Sequence, residues 1–284
     1  MKKLPILLLG SMLCALPLAA CGHKDIPVGD TQEESAQKVF PPLWKFPEAG
    51  EQEPELPEEP ETPALPEEPA PIPTAEYVRI LASSLNVRTG AGTSYASLGT
   101  AEKGVLLHLG KKTGSWYETV YRGKTAFVSA EEKYTALYTM TAADEKIEAV
   151  IDQGLKHLGT PYVYGAVRLM DGRGNFNRNF TTDKFDCSSL MQYIFYYGAG
   201  VKLDVTTRTQ IGQGTHVDRA NLKRGDLMFF TNASRKNNKG LERVGHVALY
   251  LGDNYILHTA SDYAKIEQIS ATRWSYFIEG RRII

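Results

Sequence analysis

The chain has 284 residues, which is enough for more than one domain. Hydrophobic residues make up 42% and charged residues 23%, which is an ordinary globular balance. The formal net charge is -1, so the chain lacks the overall basic charge of a protein that coats nucleic acid. Three cysteines are too few for a disulfide scaffold. The sequence contains a single long apolar stretch, at residues 4–20, and a polytopic membrane protein would need several.

Residues 1–20 have the pattern of an export signal, since Lys2 and Lys3 precede the apolar stretch and small residues end it. No stop-transfer flank follows, which favours an export signal over a spanning helix. The end of the signal resembles the bacterial lipobox, on Leu18, Ala19, Ala20 and Cys21. This resemblance implies cleavage before Cys21 and lipid attachment there, hence an exported bacterial protein anchored to the cell envelope. The alternative is an ordinary signal with a chance cysteine.

Residues 21–75 are expected to form a lipidated tail followed by a disordered stalk. Residues 47–73 contain nine prolines, nine glutamates and no Lys or Arg, a composition that buries little apolar surface. The stalk either holds a folded body away from a membrane or is a spacer without a length requirement. Residues 76–284 carry 27 basic and 20 acidic groups, or +7. We therefore expect the folded body to be attracted to anionic wall polymers, and no nucleic-acid partner.

Residues 76–138 are predicted to form a small all-β barrel. Short strand-like runs separated by turn residues occur at 77–81, 84–88, 105–109, 116–121 and 124–129. The segments 85–90, 98–100 and 114–117 resemble a bacterial SH3 domain. This resemblance implies that the domain binds cell-wall peptides or helps to shape a neighbouring active site. Because barrels of this kind serve many functions, the ligand of this copy stays open.

Residues 141–284 are predicted to form an α+β domain. Thr141 can cap a first helix, whose apolar residues recur at helical spacing as far as Leu158. A second helix is expected at residues 187–197. Strands are expected at 226–230, 244–251, 255–259 and 276–283. A helical half followed by an antiparallel half is typical of the α+β class.

Cys187 is the candidate nucleophile. Asp186 can cap the helix that starts there, and a helix N-terminus favours the thiolate, which predicts a lowered thiol pKa. His246 and His258 fall in successive strands, so one could pair with Cys187 while the other fixes its tautomer. The alternative is that Cys187 is a buried structural cysteine and that both histidines are core residues without a catalytic role. No HExxH or CxxC spacing occurs, so no metal or other cofactor is expected.

Five sequence blocks, in order, resemble the NlpC/P60 family of cysteine peptidases: residues 159–165, 186–190, 222–230, 245–252 and 256–260. The resemblance implies a papain-like fold. It also implies hydrolysis of peptidoglycan stem peptides, most often between D-γ-glutamyl and the diamino acid, through a thioester. Carried over to this chain, Cys187 is the nucleophile, His246 is the general base and acid, and His258 orients the imidazole.

The resemblance also implies substrate contacts. Tyr162 matches a tyrosine near the thiol that serves the oxyanion region, and Asp186 and Ser188 match positions that shape the γ-glutamyl site. Arg208 and Gln213 match residues of the loop before the strands, where an arginine could hold a stem-peptide carboxylate. The alternatives are a packed core aromatic for Tyr162 and an ion pair for Arg208.

Three features depart from the family, one of which, Ser189 in place of a commonly found glycine, is expected to have little effect. Residues 167–184 look like an inserted loop, which could form a wall of the cleft or a surface excursion. Thr209 stands where members that trim free wall fragments often have an acidic residue that can hold the substrate's amine. Two other functions stay open: a catalytically silent wall-peptide-binding protein, and amidase or transpeptidase chemistry on the same fold.

Overall fold

The computed structural model of the protein describes residues 72–284. The expected export signal, the lipidation site Cys21 and nearly all of the stalk lie outside these residues. Among the helices between residues 72 and 284, none has the length and apolar character that a membrane crossing needs.

The first part of the described chain is all-β, as the sequence predicts. Its strands are β1 (Thr74–Ile80), β2 (Ser84–Arg88), β3 (Ser97–Glu102), β4 (Leu106–His108), β5 (Lys112–Thr113), β6 (Trp116–Tyr121), β7 (Lys124–Ser129) and β8 (Thr135–Thr141). Five of them form an antiparallel sheet in the order β3-β2-β7-β6-β5. The sequence did not indicate β3, because a single one of its residues, Ala101, is buried and no apolar alternation results.

The second part places helices before strands. Its elements are α1 (Glu145–Leu155), α2 (Cys187–Ala199), α3 (Thr207–Gln210), β9 (Thr215–Val217), β10 (Leu227–Phe230), β11 (His246–Gly252), β12 (Tyr255–Ala260), β13 (Tyr263–Gln268), α4 (Ala271–Ser275) and β14 (Phe277–Arg282). The strands pair antiparallel in the order β13-β12-β11-β10-β14-β9. This arrangement is the predicted α+β class.

Helix α2 is positioned by its cap and by its buried face. The Asp186 carboxylate accepts the Ser189 N–H at 2.9 Å, which satisfies one of the free donors of the first turn. Leu190 and Ile194 are fully buried in one core with Val247 of β11. Since residues three and seven positions after Cys187 share its helix face, this packing turns Cys187 toward β11.

The predicted start of the first helix is wrong. Thr141 is the last residue of β8, where it pairs with Thr74 of β1. The helix is capped three residues later by Asp144, whose carboxylate accepts the N–H groups of Lys146 and Ile147 at 3.1 Å each. The β ladder holds Thr141 in an extended conformation, and the acidic side chain takes over the capping.

The two parts are joined through one sheet. Strands β8, β1 and β4 of the first part continue the sheet of the second part, because Leu106 of β4 pairs with Ile266 of β13. Next to this junction, Lys265 of β13 lies 3.4 Å from Glu102 of β3. Strand β13 is therefore paired with β12 on one side and with β4 of the first part on the other.

Candidate active site

Cys187 is the first residue of α2 and is 9% exposed. Cys187 is buried in one core with Val247 of β11, the strand on which α2 packs. Val247 follows His246 in β11, so the thiol lies against the strand that carries the first candidate histidine. The geometry therefore brings these two sequence-predicted residues to the same place.

The predicted lowering of the thiol pKa is wrong. Burial, followed by the charge of the adjacent Asp186 carboxylate, raises the pKa of the Cys187 thiol to about 11. Burial, with a smaller contribution from the Asp186 charge, thus outweighs the benefit that the helix N-terminus gives to a thiolate.

His246 and His258 are connected in a hydrogen-bonded chain. Nε2 of His246 lies 3.0 Å from Nδ1 of His258, and Nε2 of His258 lies 3.0 Å from Oε1 of Glu267 on β13. His258 is 1% exposed, so no bulk water competes for these bonds. The β11–β12 hairpin brings the imidazoles together, and β13 adds a carboxylate that the sequence did not indicate.

Glu267 determines the tautomers of both histidines. Burial opposes its ionisation, but the hydrogen bond with His258 and the nearby charges of Arg273 and Lys265 lower the pKa of Glu267 to about 2. An ionised carboxylate can only accept, so His258 donates from Nε2 and accepts at Nδ1. His246 then donates from Nε2, and its Nδ1 keeps a free lone pair.

Both histidines are neutral near pH 7. Burial, and then the neighbouring His258, lower the pKa of His246 well below its ordinary value of 6.5. Burial also lowers the pKa of His258, although Glu267 opposes this effect. The resting site therefore contains a thiol and a neutral imidazole whose Nδ1 can accept a proton.

Two neighbouring cavities flank the site. The first is about 410 Å³ and is lined by Cys187. The second is about 380 Å³ and is lined by His246. Tyr162, Asn232 and Gly245 line both cavities, which marks the point where they meet. Burial, and then the adjacent Cys187, raise the pKa of the Tyr162 hydroxyl, so that it stays a hydrogen-bond donor.

The remaining predicted substrate residues divide into two groups. Asp186, Ser188 and Arg208 line the Cys187 cavity, and Arg208 also forms an ion pair of 2.8 Å with the exposed Glu242. Gln213 lines neither cavity; its amide accepts the N–H of Asp204 at 2.7 Å and so holds a loop.

Sequence reasoning missed several residues of the site because their partners are distant in the chain. Arg168, from the inserted loop, lines the Cys187 cavity, so this loop contributes to the cleft wall. Gln210 is fully buried and donates to the carbonyl of Ser188 at 3.0 Å. Arg273 lies 3.1 Å from Glu267 and lines the His246 cavity. Among residues 72–284, no group of three or more His, Cys, Asp or Glu side chains is arranged to hold a metal ion.

Two family models match this chain. Residues 83–132 match the bacterial SH3 domain, and residues 159–282 match the NlpC/P60 family. The second match contains the cysteine, both histidines and Glu267.

Curated relatives are similar over 40–64% of the chain. The peptidoglycan endopeptidase RipA of Mycolicibacterium smegmatis is 34% identical over 40% of this chain and 21% of its own length. The peptidoglycan DL-endopeptidase CwlO of Bacillus licheniformis is 31% identical over 53% of this chain and 31% of its own. The gamma-DL-glutamyl hydrolase of Bacillus subtilis is 26% identical over 64% of this chain and 37% of its own. The chain thus spans well under half the length of each relative.

Proposed function

We propose that this chain, in which an NlpC/P60 domain follows a bacterial SH3 domain, is a cysteine peptidase that hydrolyses peptidoglycan stem peptides. The observation that carries the proposal is the burial of Cys187 in one core with β11, the strand where the hydrogen-bonded chain from His246 to Glu267 begins. The bond cleaved is the one between D-γ-glutamyl and the diamino acid. The names of two relatives, a DL-endopeptidase and a gamma-DL-glutamyl hydrolase, support this choice of bond.

The first half of the reaction is attack by Cys187. Nδ1 of His246 accepts the thiol proton as the sulfur bonds to the amide carbon, and the electron pair of the carbonyl moves to its oxygen. The backbone N–H of Cys187 and the hydroxyl of Tyr162 serve as donors to this oxyanion. The imidazolium formed at His246 is stabilised by the Glu267 carboxylate through His258.

The second half releases both products. His246 donates its proton to the leaving nitrogen, the C–N bond breaks, and a thioester to Cys187 remains. Water then loses a proton to His246 and attacks the thioester, the C–S bond breaks, and the departing sulfur takes that proton back from His246, which frees the glutamyl product and restores the thiol. No other group is needed to balance the reaction.

The substrate contacts follow the residues of the Cys187 cavity. Arg208 is the candidate partner for a stem-peptide carboxylate, because its guanidinium lines the cavity and its partner Glu242 is exposed. Ser188 and Asp186 shape the wall beside the thiol.

The proposed site of action is the bacterial cell envelope. The export signal and the lipobox ending at Cys21 support export and lipid anchoring. The +7 charge of residues 76–284 would favour association with carboxylate-rich wall polymers.

Digestion of purified peptidoglycan tests the activity. The wild type should create new glutamyl carboxyl termini and free diamino-acid amines, identified by mass spectrometry, and Cys187→Ala should create none. Arg178→Gln changes an exposed residue outside both cavities and is the matched control, which should cleave like the wild type.

The products distinguish the alternatives. Binding to the wall without new termini would indicate a silent binding protein and would contradict the peptidase proposal. Products with an intact glutamyl–diamino acid bond would indicate amidase or transpeptidase chemistry on this fold.

A further inference from the structure

The carboxylate of Asp186 is completely occupied by the protein itself. Its Oδ1 accepts the Ser189 N–H at 2.9 Å and the Ser188 hydroxyl at 3.2 Å. Its Oδ2 accepts the Gly165 N–H at 3.2 Å and lies 2.7 Å from Nη1 of Arg168. Two carboxylate oxygens offer about four acceptor positions, so none is left for a substrate group.

Arg168 is held firmly in this position. Its Nε donates to the carbonyl of Val205 at 3.1 Å, its Nη1 donates to the carbonyl of Ala166, and its Nη2 donates to the Ser188 hydroxyl at 3.2 Å. The side chains of Arg168 and Asp186 are only 18% and 5% exposed, so solvent weakens their ion pair little. The inserted loop thus delivers a fixed cation to the wall beside the nucleophile.

The Cys187 cavity has an excess of positive charge. Its charged lining residues are Arg168, Asp186, Arg208 and Arg235. Arg168 neutralises Asp186, while Arg208 and Arg235 share the single carboxylate of Glu242. A substrate ammonium placed here would meet guanidinium groups and no available carboxylate, whereas a substrate carboxylate would be attracted.

The chemistry of the reaction determines which half of the substrate enters this cavity. His246 must reach the leaving nitrogen, so the leaving diamino acid lies on the side of the His246 cavity. The acyl half, alanyl-γ-glutamyl, then extends into the Cys187 cavity. In peptides released from the glycan the alanine nitrogen is an ammonium. In stem peptides still joined to the glycan it is an uncharged amide.

We infer that Arg168 is a specificity-determining residue, which makes the enzyme select stem peptides with an acylated alanine nitrogen and reject those with a free amine. This inference rests on the proposed function and specifies its substrate as glycan-attached wall rather than released peptide. Arg168 acts against the free amine in two ways. It occupies the Asp186 carboxylate that could otherwise bind an ammonium, and it places a cation where that ammonium would lie.

Two synthetic peptides that differ at one nitrogen test the inference. The pair is L-Ala-γ-D-Glu-diamino acid and its N-acetyl-alanyl form, made with lysine and with diaminopimelate. The wild type should hydrolyse the acetylated peptide with a kcat/KM at least about tenfold higher than the free peptide. Arg168→Gln should bring the ratio close to one by improving the free peptide. Arg168→Lys keeps the cation and should keep most of the preference. Arg173→Gln removes an exposed cation of the same loop outside the cavities, and its ratio should equal that of the wild type.

Binding to the Cys187→Ala protein separates this inference from the proposed function. Calorimetry on that background should give about tenfold tighter binding of the acetylated peptide, with the difference lost when Arg168→Gln is added. The same preference without hydrolysis by the wild type would uphold the inference and refute the peptidase proposal. Hydrolysis with a ratio that favours the free amine, or that Arg168→Gln leaves unchanged, would refute the inference alone. A failure of both peptides to bind would refute both.

Discussion

Cys187 and His246 are held in their uncharged forms until a substrate is present. Burial raises the pKa of the thiol to about 11 and lowers the pKa of the imidazole well below 6.5. A thiolate–imidazolium pair at rest would need the opposite order of these values. In the proposed reaction the proton therefore moves from Cys187 to His246 during attack, and the role proposed for His246 is that of a general base rather than of a counter-ion.

The alkylation rate of Cys187 should report this protonation state. The thiolate is the reacting form, so its rate constant with iodoacetamide should rise about tenfold per pH unit from pH 6 to 10. A small free thiol should level off above about pH 8.5 and is the reference. Mass spectrometry of the Cys187 peptide follows the modification, since this is the one cysteine among residues 72–284. A plateau below pH 7 would show a resting thiolate and contradict the assignment.

For single residues, the sequence indicates which side chains are candidates for the site, but it does not indicate the direction in which the pKa of the thiol is shifted. The patterns around Cys187, His246 and His258 predict that the three lie together, because a helix start and a hairpin are local features. The direction of the thiol pKa depends on how completely α2 is buried and on the orientation of the Asp186 carboxylate. Neither quantity is contained in the local sequence, so the helix N-terminus argument alone gives the wrong sign.

Among the elements, β13 contributes a carboxylate to the site although the sequence did not predict this strand. It carries Glu267, which accepts from His258, and Lys265, which lies 2.8 Å from Asp262 and 3.4 Å from Glu102. Charged residues are depleted in strands, so the segment does not look like one. The charges of Lys265 and Glu267 are compensated by side chains of the flanking segments and of β3, and the local pattern of charged and apolar residues does not show these pairings, so the strand was not predicted from the sequence.

Glu267→Gln tests the role of β13 as a support for the histidines. A glutamine can donate as well as accept, so it no longer imposes the tautomer of His258. We expect kcat on the acetylated peptide to fall by about 10- to 100-fold, with KM within about twofold. Glu102→Gln removes a carboxylate that also contacts Lys265 but no histidine, and should stay within about twofold of the wild type. Unchanged kcat in Glu267→Gln would mean that His258 alone orients His246.

On the scale of the whole molecule, a buried arginine connects both parts of the described chain. Arg224 precedes β10 and is 8% exposed. It donates to both carboxylate oxygens of Glu148 on α1, at 2.6 and 2.7 Å, and to the carbonyl of Leu251 on β11 at 2.8 Å. It also donates to the hydroxyl of Tyr77 on β1 at 2.6 Å. These bonds connect the loop before β10 to three elements, α1, β11 and β1, from the two parts.

Arg224→Met should lower the free energy of unfolding by about 3 kcal/mol, because Glu148 loses its charge partner and the buried acceptors lose their donor. Urea denaturation followed by circular dichroism measures the change. Arg178→Met replaces an exposed arginine in the same way and should change stability by less than about 0.5 kcal/mol. A loss below about 1 kcal/mol in Arg224→Met would show that the connection between the parts does not depend on this residue.

The overall architecture was predictable because each part has its own local pattern: alternating short strands first, then helices before strands. Their connection was not predictable. Leu106 and Ile266 are separated by 160 positions, and nothing in either segment alone indicates that they pair. Arg224 belongs to a recognisable turn sequence, but its partners Tyr77 and Glu148 lie in other elements.

The single shared sheet limits how freely the first part of the described chain can be exchanged. A substitute domain from another protein would have to present an edge strand to Ile266, a carboxylate to Lys265 and a hydroxyl to Arg224. A chimera that lacks these groups would uncover the edge of β13 one residue away from Glu267. For engineering, the two parts should therefore be transferred together rather than treated as interchangeable modules.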